Sequence, residues 1–277
     1  MNGVDLNVVE WDAVCDKHGP FRAKGMLIDG ARRGGVCSAC IGEREKADSI
    51  ESEARTRAAK ARRIAHLLGS SGIPPRFIGR TFENFHVDGG NPGQADALTM
   101  CSAYATDFEV AMEEGTSAVL VGNPGTGKTH LAAAIAQVVI NSGRSVHFTT
   151  VGRLLRKIKS TYGKDSEMTE EQAIRSYLDP DLLIIDEVGV QRGTEAERFI
   201  LTEVIGQRYE NMRPMVVMGN CTEEELINHL GDRLVPRLQE GGGPFIVCDW
   251  QDYRGKVHLD ETRARRKVKP VDWDASE

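Results

Sequence analysis

The chain has 277 residues, 40% hydrophobic and 27% charged, with a net charge of −6. That length accommodates one core domain plus something smaller, and the balance is that of a globular protein. The negative charge excludes a protein that coats nucleic acid over its whole surface, and no apolar run reaches the ~20 residues that span a bilayer.

Residues 1–42 are short, rich in Gly and Cys, and too small to bury a core unaided. The first stretch, MNGVDLNVVEWD, is acidic and lacks the apolar run of a signal peptide, so a cytoplasmic location is expected. Cys15-x-x-His18 and Cys37-x-x-Cys40 form two ligand pairs, at a spacing that suits two tight knuckles sharing one tetrahedral Zn²⁺. The competing reading is two unrelated thiol pairs in an arm, with His18 an ordinary surface residue. A four-ligand site is closed to water, so such a module recognises a partner and does no catalysis.

Residues 43–72 open with EREKADSIESEARTRAAKARRIAHLLG, rich in helix-forming Ala, Glu and Arg. Ile50, Ala54, Ala58, Ala61, Ile64, Ala65 and Leu68 fall three or four apart, one weak apolar stripe along an exposed linker helix. GSSGIPPRF, at 69–77, ends it.

Beyond residue 78, apolar runs at 117–121, 145–149, 181–186, 214–219 and 244–248 alternate with helical patterns near 128–141, 151–162, 170–178, 195–211 and 222–240. Apolar strands each followed by a helix indicate a five-stranded parallel sheet covered on both faces, a doubly wound α/β domain. Fewer than thirty residues follow the last strand, so little or no C-terminal lid is expected. Residues 259–277 read as a basic and then acidic tail.

Gly122, Asn123, Pro124, Gly125, Thr126, Gly127, Lys128 and Thr129 fit G-x-x-x-x-G-K-[ST] between a strand and a helix. Such a loop curls so that successive N–H groups face a β-phosphate, with a helix N-terminus behind them. Lys128 is expected to reach the β- and γ-phosphates and Thr129 to ligate Mg²⁺. In LLIIDEVG, Asp186 falls where a parallel strand meets its carboxyl edge and would hold Mg²⁺, while Glu187 would polarise a water for attack on the γ-phosphate. The plainer reading of that pair is a helix cap. Asn220 ends another strand, where an amide can orient water or simply form a turn.

With these motifs in order the chain resembles the AAA+ ATPases. GNPGTGKTHLAAAI, DLLIIDEVGVQ, GDRLVPRL and WQDYRGKV narrow the likeness to DnaC-type replicative helicase loaders, over residues 73–258, with IstB-type transposition helpers as close relatives. The resemblance implies an ATPase that places a DnaB-type helicase on single-stranded DNA. It implies sensor-1 for Asn220, the arginine finger for Arg237 with Arg233 as rival, and sensor-2 for Arg254. A finger supplied across an interface makes self-association part of the mechanism. The helix VGRLLRKIKSTYG matches the family's region of single-strand contact, with Arg153, Arg156, Lys157 and Lys159 along phosphates, Tyr162 stacked on a base, and Leu154, Leu155 and Ile158 buried. On charge alone that stretch reads equally as a solvated face. The cysteine–histidine pairs depart from the enteric type of loader and leave the module's own partner open.

Overall fold

A computed structural model of the chain describes residues 8–163, 165–191 and 193–253. They fall into two compact units, one ending at Arg62 and the other starting at Arg63.

The first unit is a three-stranded antiparallel sheet, β1 (Val8–Cys15), β2 (Gly19–Ile28) and β3 (Ala31–Gly34), followed by the start of α1 (Ser38–Ser70). Asp29-Gly30 forms the two-residue turn between Ile28 and Ala31, both residues at positive φ, which is the chemistry of a tight hairpin. That Asp-Gly pair is a signal the sequence reading passed over. β1 and most of β2 alternate exposed and more buried positions because only one face has anything to pack on, while β3 is exposed throughout. Among the described residues here, Ala23 and Cys37 alone of the hydrophobics are buried, too little apolar burial to hold the unit unaided.

The two ligand pairs are not two knuckles. Cys15-x-x-His18 is the β1–β2 turn, as expected. Cys37-x-x-Cys40 instead straddles the N-terminus of α1, where the Cys37 carbonyl accepts the Ile41 N–H at 3.0 Å. Gly34 and Gly35, at φ 92° and 85°, swing the chain from β3 into that helix.

In the second unit α1 ends at Ser70, where Ile64, Leu67 and Leu68 pack on the core. Ile50, farther up the same apolar stripe, is exposed. Two helices absent from the sequence reading follow, α2 (Pro92–Thr106) and α3 (Phe108–Glu114). α2 starts at Asn91, whose side chain accepts the Gln94 N–H, with Pro at the first helical position.

The sheet then forms from β4 (Ala118–Gly122), α4 (Lys128–Asn141), β5 (Val146–Thr150), α5 (Val151–Lys159), α6 (Glu170–Leu178), β6 (Leu182–Val188), α7 (Glu195–Glu210), β7 (Met215–Gly219), α8 (Glu223–Leu230), α9 (Leu234–Gln239) and β8 (Phe245–Cys248). Strand order is β5-β6-β7-β4-β8, every neighbouring pair parallel. Alternation divides the core: Leu120, Ile184 and Met218 pack under α2 and α4, while Val121, Ile185 and Val217 face α5 and α7. The expected helix over 222–240 is broken, because Gly231 at φ 94° ends α8 and α9 begins after Arg233. The expected helix over 151–162 closes at Lys159 with one tighter turn at Ser160–Tyr162.

One interior side chain ties these layers together. Arg208 of α7 is fully buried and donates to the carbonyls of Tyr177, Leu178, Pro180, Asp181 and Pro214 at 2.7–3.1 Å. Burial pulls its pKa down to about 9, so it stays charged at neutrality. Four terminal N–H groups are shared among the five carbonyls, and at ~1.5–3 kcal/mol for a bond to a charged group they offset a desolvation cost of several kcal/mol. Replacing Arg208 with Met takes the donor from the Tyr177, Leu178, Pro180 and Asp181 carbonyls, while Pro214 O keeps the Leu183 N–H at 3.3 Å, and urea unfolding is expected to show a loss of at least about 3 kcal/mol. A loss below ~1 kcal/mol would mean that those carbonyls find other donors.

Candidate functional site

The phosphate loop sits at the carboxyl edge of the sheet, where β4 emerges between β7 and β8. Gly122 has φ 122°, and a Cβ there would strike the Cys248 carbonyl on β8, so no other residue fits. Gly127, at φ 98°, starts α4 beneath the ring of Phe85. The loop is tethered through its carbonyls. Asn123 O accepts the Thr126 hydroxyl at 2.9 Å, Thr126 O accepts the Trp250 indole N–H at 2.9 Å, and Gly125 O accepts the Tyr253 N–H at 3.0 Å. Lys128 Nζ donates to Gly122 O at 2.9 Å and Asn123 O at 2.5 Å. A loop whose carbonyls are engaged in this way suits N–H groups that face an anion. Phe85 and Trp250 were missed in the sequence, because nothing in their local spacing links them to a loop far away in the chain.

Asp186 and Glu187 occupy a β-bulge. Ile185 pairs with Val217 and Val188 with Gly219, so two residues of β6 oppose one of β7. The extra residue brings Glu187 to φ 62°, left-handed for a non-glycine, with its side chain exposed. Asp186 Oδ2 accepts the Thr129 hydroxyl at 3.0 Å and Oδ1 the Glu187 N–H at 2.7 Å. Burial pushes the Asp186 carboxyl above its usual range, and those two bonds pull it partly back. Thr129 and Asp186 are thus brought together, an oxygen pair suited to Mg²⁺. Asn220 is exposed one residue past β7, the strand beside β6.

Arg237, on α9, lies over the Tyr209 ring at 5.1 Å, and Arg233 is exposed just before α9. Arg254 lies outside the described residues, as do the rest of the tail and any lid.

On α5, Val151, Leu154, Leu155 and Ile158 are buried, with Arg153 and Arg156 exposed. Its lysines have partners within the fold. Lys157 donates to Ser176 at 2.7 Å and sits over the Tyr177 ring, and Lys159 pairs with Glu197 of α7 at 2.9 Å. Tyr162 is 59% exposed, and its hydroxyl donates to Glu170 at 2.9 Å.

In the N-terminal unit, the ligand atoms of Cys15, His18, Cys37 and Cys40 all lie within 4.8 Å of one another. Cys15 Sγ is 3.5 Å from Cys40 Sγ, and His18 Nδ1 is 3.7, 3.7 and 3.3 Å from Cys15, Cys37 and Cys40. A Zn²⁺ tetrahedron with bonds of ~2.0–2.3 Å has edges of roughly 3.5–3.8 Å, so the four residues fit that ion. Backbone N–H groups of Lys17 and His18 lower the Cys15 thiol to about 6, and sharing a hydrogen bond with Cys15 raises Cys40 to about 11.

The IstB-like ATP binding protein family matches residues 46–237. The replicative helicase loader DnaC of Buchnera aphidicola subsp. Baizongia pistaciae is 34% identical over 212 residues, which cover 76% of this chain and 84% of that protein. Its Escherichia coli namesake is 33% identical over 209 residues, covering 76% and 83%. The solved structure of the DnaC helicase loader superposes with a TM-score of 0.56 over 64% of this chain and all of that one, at 23% identity, a likeness of fold.

The raised Asp186 pKa carries a stability consequence. The folded form binds this proton more tightly than the unfolded chain, so stability falls as pH rises from the unfolded value through the raised one. Asp186→Asn removes that cost, its oxygen placed to accept the Glu187 N–H and its amide N–H to donate to the Thr129 hydroxyl. Nucleotide-free Asp186→Asn is therefore expected to melt higher than the unaltered protein at pH 7, with no difference near pH 3. A lower melting temperature at pH 7 would show that the carboxylate stabilises the fold.

Proposed function

The chain belongs to the IstB-like ATP-binding family, and from that premise we propose that it loads a DnaB-type replicative helicase onto single-stranded DNA, with ATP hydrolysis timing assembly and release. The observation that carries the reading is the phosphate site of Lys128, Thr129 and Asp186, in a chain about a third identical to two proteins named replicative helicase loader. Residues 1–42 act as a zinc module, 43–72 as a linker and 73–258 as the AAA+ domain, with 259–277 as a tail. The working location is the cytoplasm.

In this reading Lys128 exchanges its loop carbonyls for the β- and γ-phosphates of ATP, and Thr129 with Asp186 holds Mg²⁺. Bound there, Mg²⁺ would neutralise phosphate charge. Glu187 accepts a proton from a water aligned behind the γ-phosphate, and Asn220 orients that water. Attack gives ADP and inorganic phosphate. Arg237, with Arg233 as rival, completes the site of a neighbouring copy, and Arg254 acts within its own. Each site is then complete only at an interface, so turnover reports assembly. Cys15, His18, Cys37 and Cys40 hold a structural Zn²⁺ that joins the β1–β2 turn to α1.

A second reading keeps the ATPase and changes the client: a transposition helper that assembles on duplex DNA and recruits a transposase. The family description, IstB-like, is what favours it. Mixing the protein with a DnaB-type helicase and ATP, then weighing the products by native mass spectrometry, separates the two. Several copies on one helicase hexamer support the loader. Assembly on duplex DNA with no helicase bound sinks it in favour of the helper.

Because Lys157 and Lys159 are engaged within the fold, the phosphate contacts of α5 fall to Arg153 and Arg156, with Tyr162 on a base. Replacing both arginines with Ala is expected to lower the slope of log affinity against log salt for single-stranded DNA by about 1.4, roughly 0.7 per contact. An unchanged slope would take α5 off the DNA path.

A further inference from the structure

Glu43 is absent from the motif reading, which sees only the cysteines and the histidine. It stands three residues after Cys40 on α1, and residues three apart on a helix share a face. Both of its oxygens are engaged by the three-residue turn between β1 and β2. Oε1 lies 3.1 Å from His18 Nε2, and Oε2 accepts from Lys17 Nζ at 2.5 Å. The His18 ring therefore has two separate faces. Nδ1 lies 3.3–3.7 Å from three sulfurs, and Nε2 meets the carboxylate.

The geometry points to Glu43 as the positioning residue that holds His18 as an Nδ1 ligand of the zinc site, with Lys17 balancing its charge. This inference rests on the zinc reading above. A neutral imidazole carries its proton on one nitrogen and offers a lone pair on the other. Only the form protonated at Nε2 can give Nδ1 to a metal, and a carboxylate against Nε2 selects that form and fixes the ring plane.

Glu43 is not itself a ligand in this arrangement, because it approaches the ring from the nitrogen that faces away from the sulfurs. Charge also has to be accounted for. Three thiolates around a divalent ion leave one negative charge, and Glu43 adds a second close by. Lys17, held on the other carboxylate oxygen, offsets that addition. The same pair of bonds fastens the β1–β2 turn, which carries Cys15 and His18, to the helix that carries Cys40. A unit that buries little beyond Ala23 and Cys37 gains its order from such ties.

The test uses the full chain, stripped of metal and titrated with Zn²⁺ against a competing chromophoric chelator. Glu43→Ala is expected to weaken zinc binding by about 10–100-fold. Glu43→Gln, whose amide oxygen still accepts the Nε2 proton, is expected to lose less than the alanine variant. A purely structural salt bridge would give the opposite order or no order, since Gln loses the ion pair with Lys17. The deciding measurement repeats Glu43→Ala in a His18→Cys background. A thiolate ligand has no second nitrogen to orient, so removing Glu43 there should leave zinc affinity unchanged or tighten it. Equal zinc affinity for Glu43→Ala and the unaltered chain would overturn the role of Glu43 and leave the zinc site standing. An equal loss in the His18→Cys background would also overturn it, since Glu43 would then act without His18. If the unaltered chain takes up no zinc, the metal reading itself fails.

Discussion

A buried guanidinium bonded to backbone carbonyls organises the ATP-binding unit. Arg208 gathers the carbonyl ends of α6 and the lead-ins to β6 and β7 onto one side chain of α7. Backbone carbonyls at helix ends and strand lead-ins fall partly outside the regular hydrogen-bond pattern, and burying them bare costs free energy comparable to a lost hydrogen bond each. One cation with a planar fork of donors satisfies five of them at once. The starting points of β6 and β7 are thereby fixed relative to one another. Their far ends, which carry Asp186, Glu187 and Asn220, inherit that placement.

The phosphate site depends on a second constraint, at the other edge of the sheet. β4 lies between β7 and β8, so its loop is flanked by two strand ends, and both contribute tethers. Cys221 O, after β7, accepts the Gly122 N–H at 3.0 Å, and Cys248 O, on β8, accepts the Asn123 N–H at 2.9 Å. Trp250 adds its indole N–H from the segment after β8. A loop rich in glycine loses more backbone freedom on ordering than any other, and these tethers offset that loss before a ligand arrives. Binding energy can then go into phosphate contacts.

Much of this was legible in the sequence because it is local. The phosphate loop declares itself by residue type at fixed spacing, and the five strands by apolar runs of the right length between helical patterns. The buried face of α5 followed from the spacing of Leu154, Leu155 and Ile158. What escaped was set by distant partners or by small punctuation. The antiparallel strands of the N-terminal unit are half-polar, so no apolar run marked them, and only Asp29-Gly30 signalled the hairpin. Gly231 broke a helix that its neighbours would have continued. Lys157 and Lys159 looked like surface cations, yet Ser176 and Glu197, from later in the chain, claim them.

Glu187 has a consequence for how this chain tolerates change. Its left-handed backbone costs a non-glycine residue about 1–3 kcal/mol, and Gly or Asn would sit there with less strain. Folding stability by itself thus pushes that position away from a carboxylate. A variant library screened only for heat resistance would tend to enrich Gly at 187, yielding sturdier proteins that have discarded the carboxylate beside Asp186. Such a screen would reward the fold alone and be blind to whatever that carboxylate does.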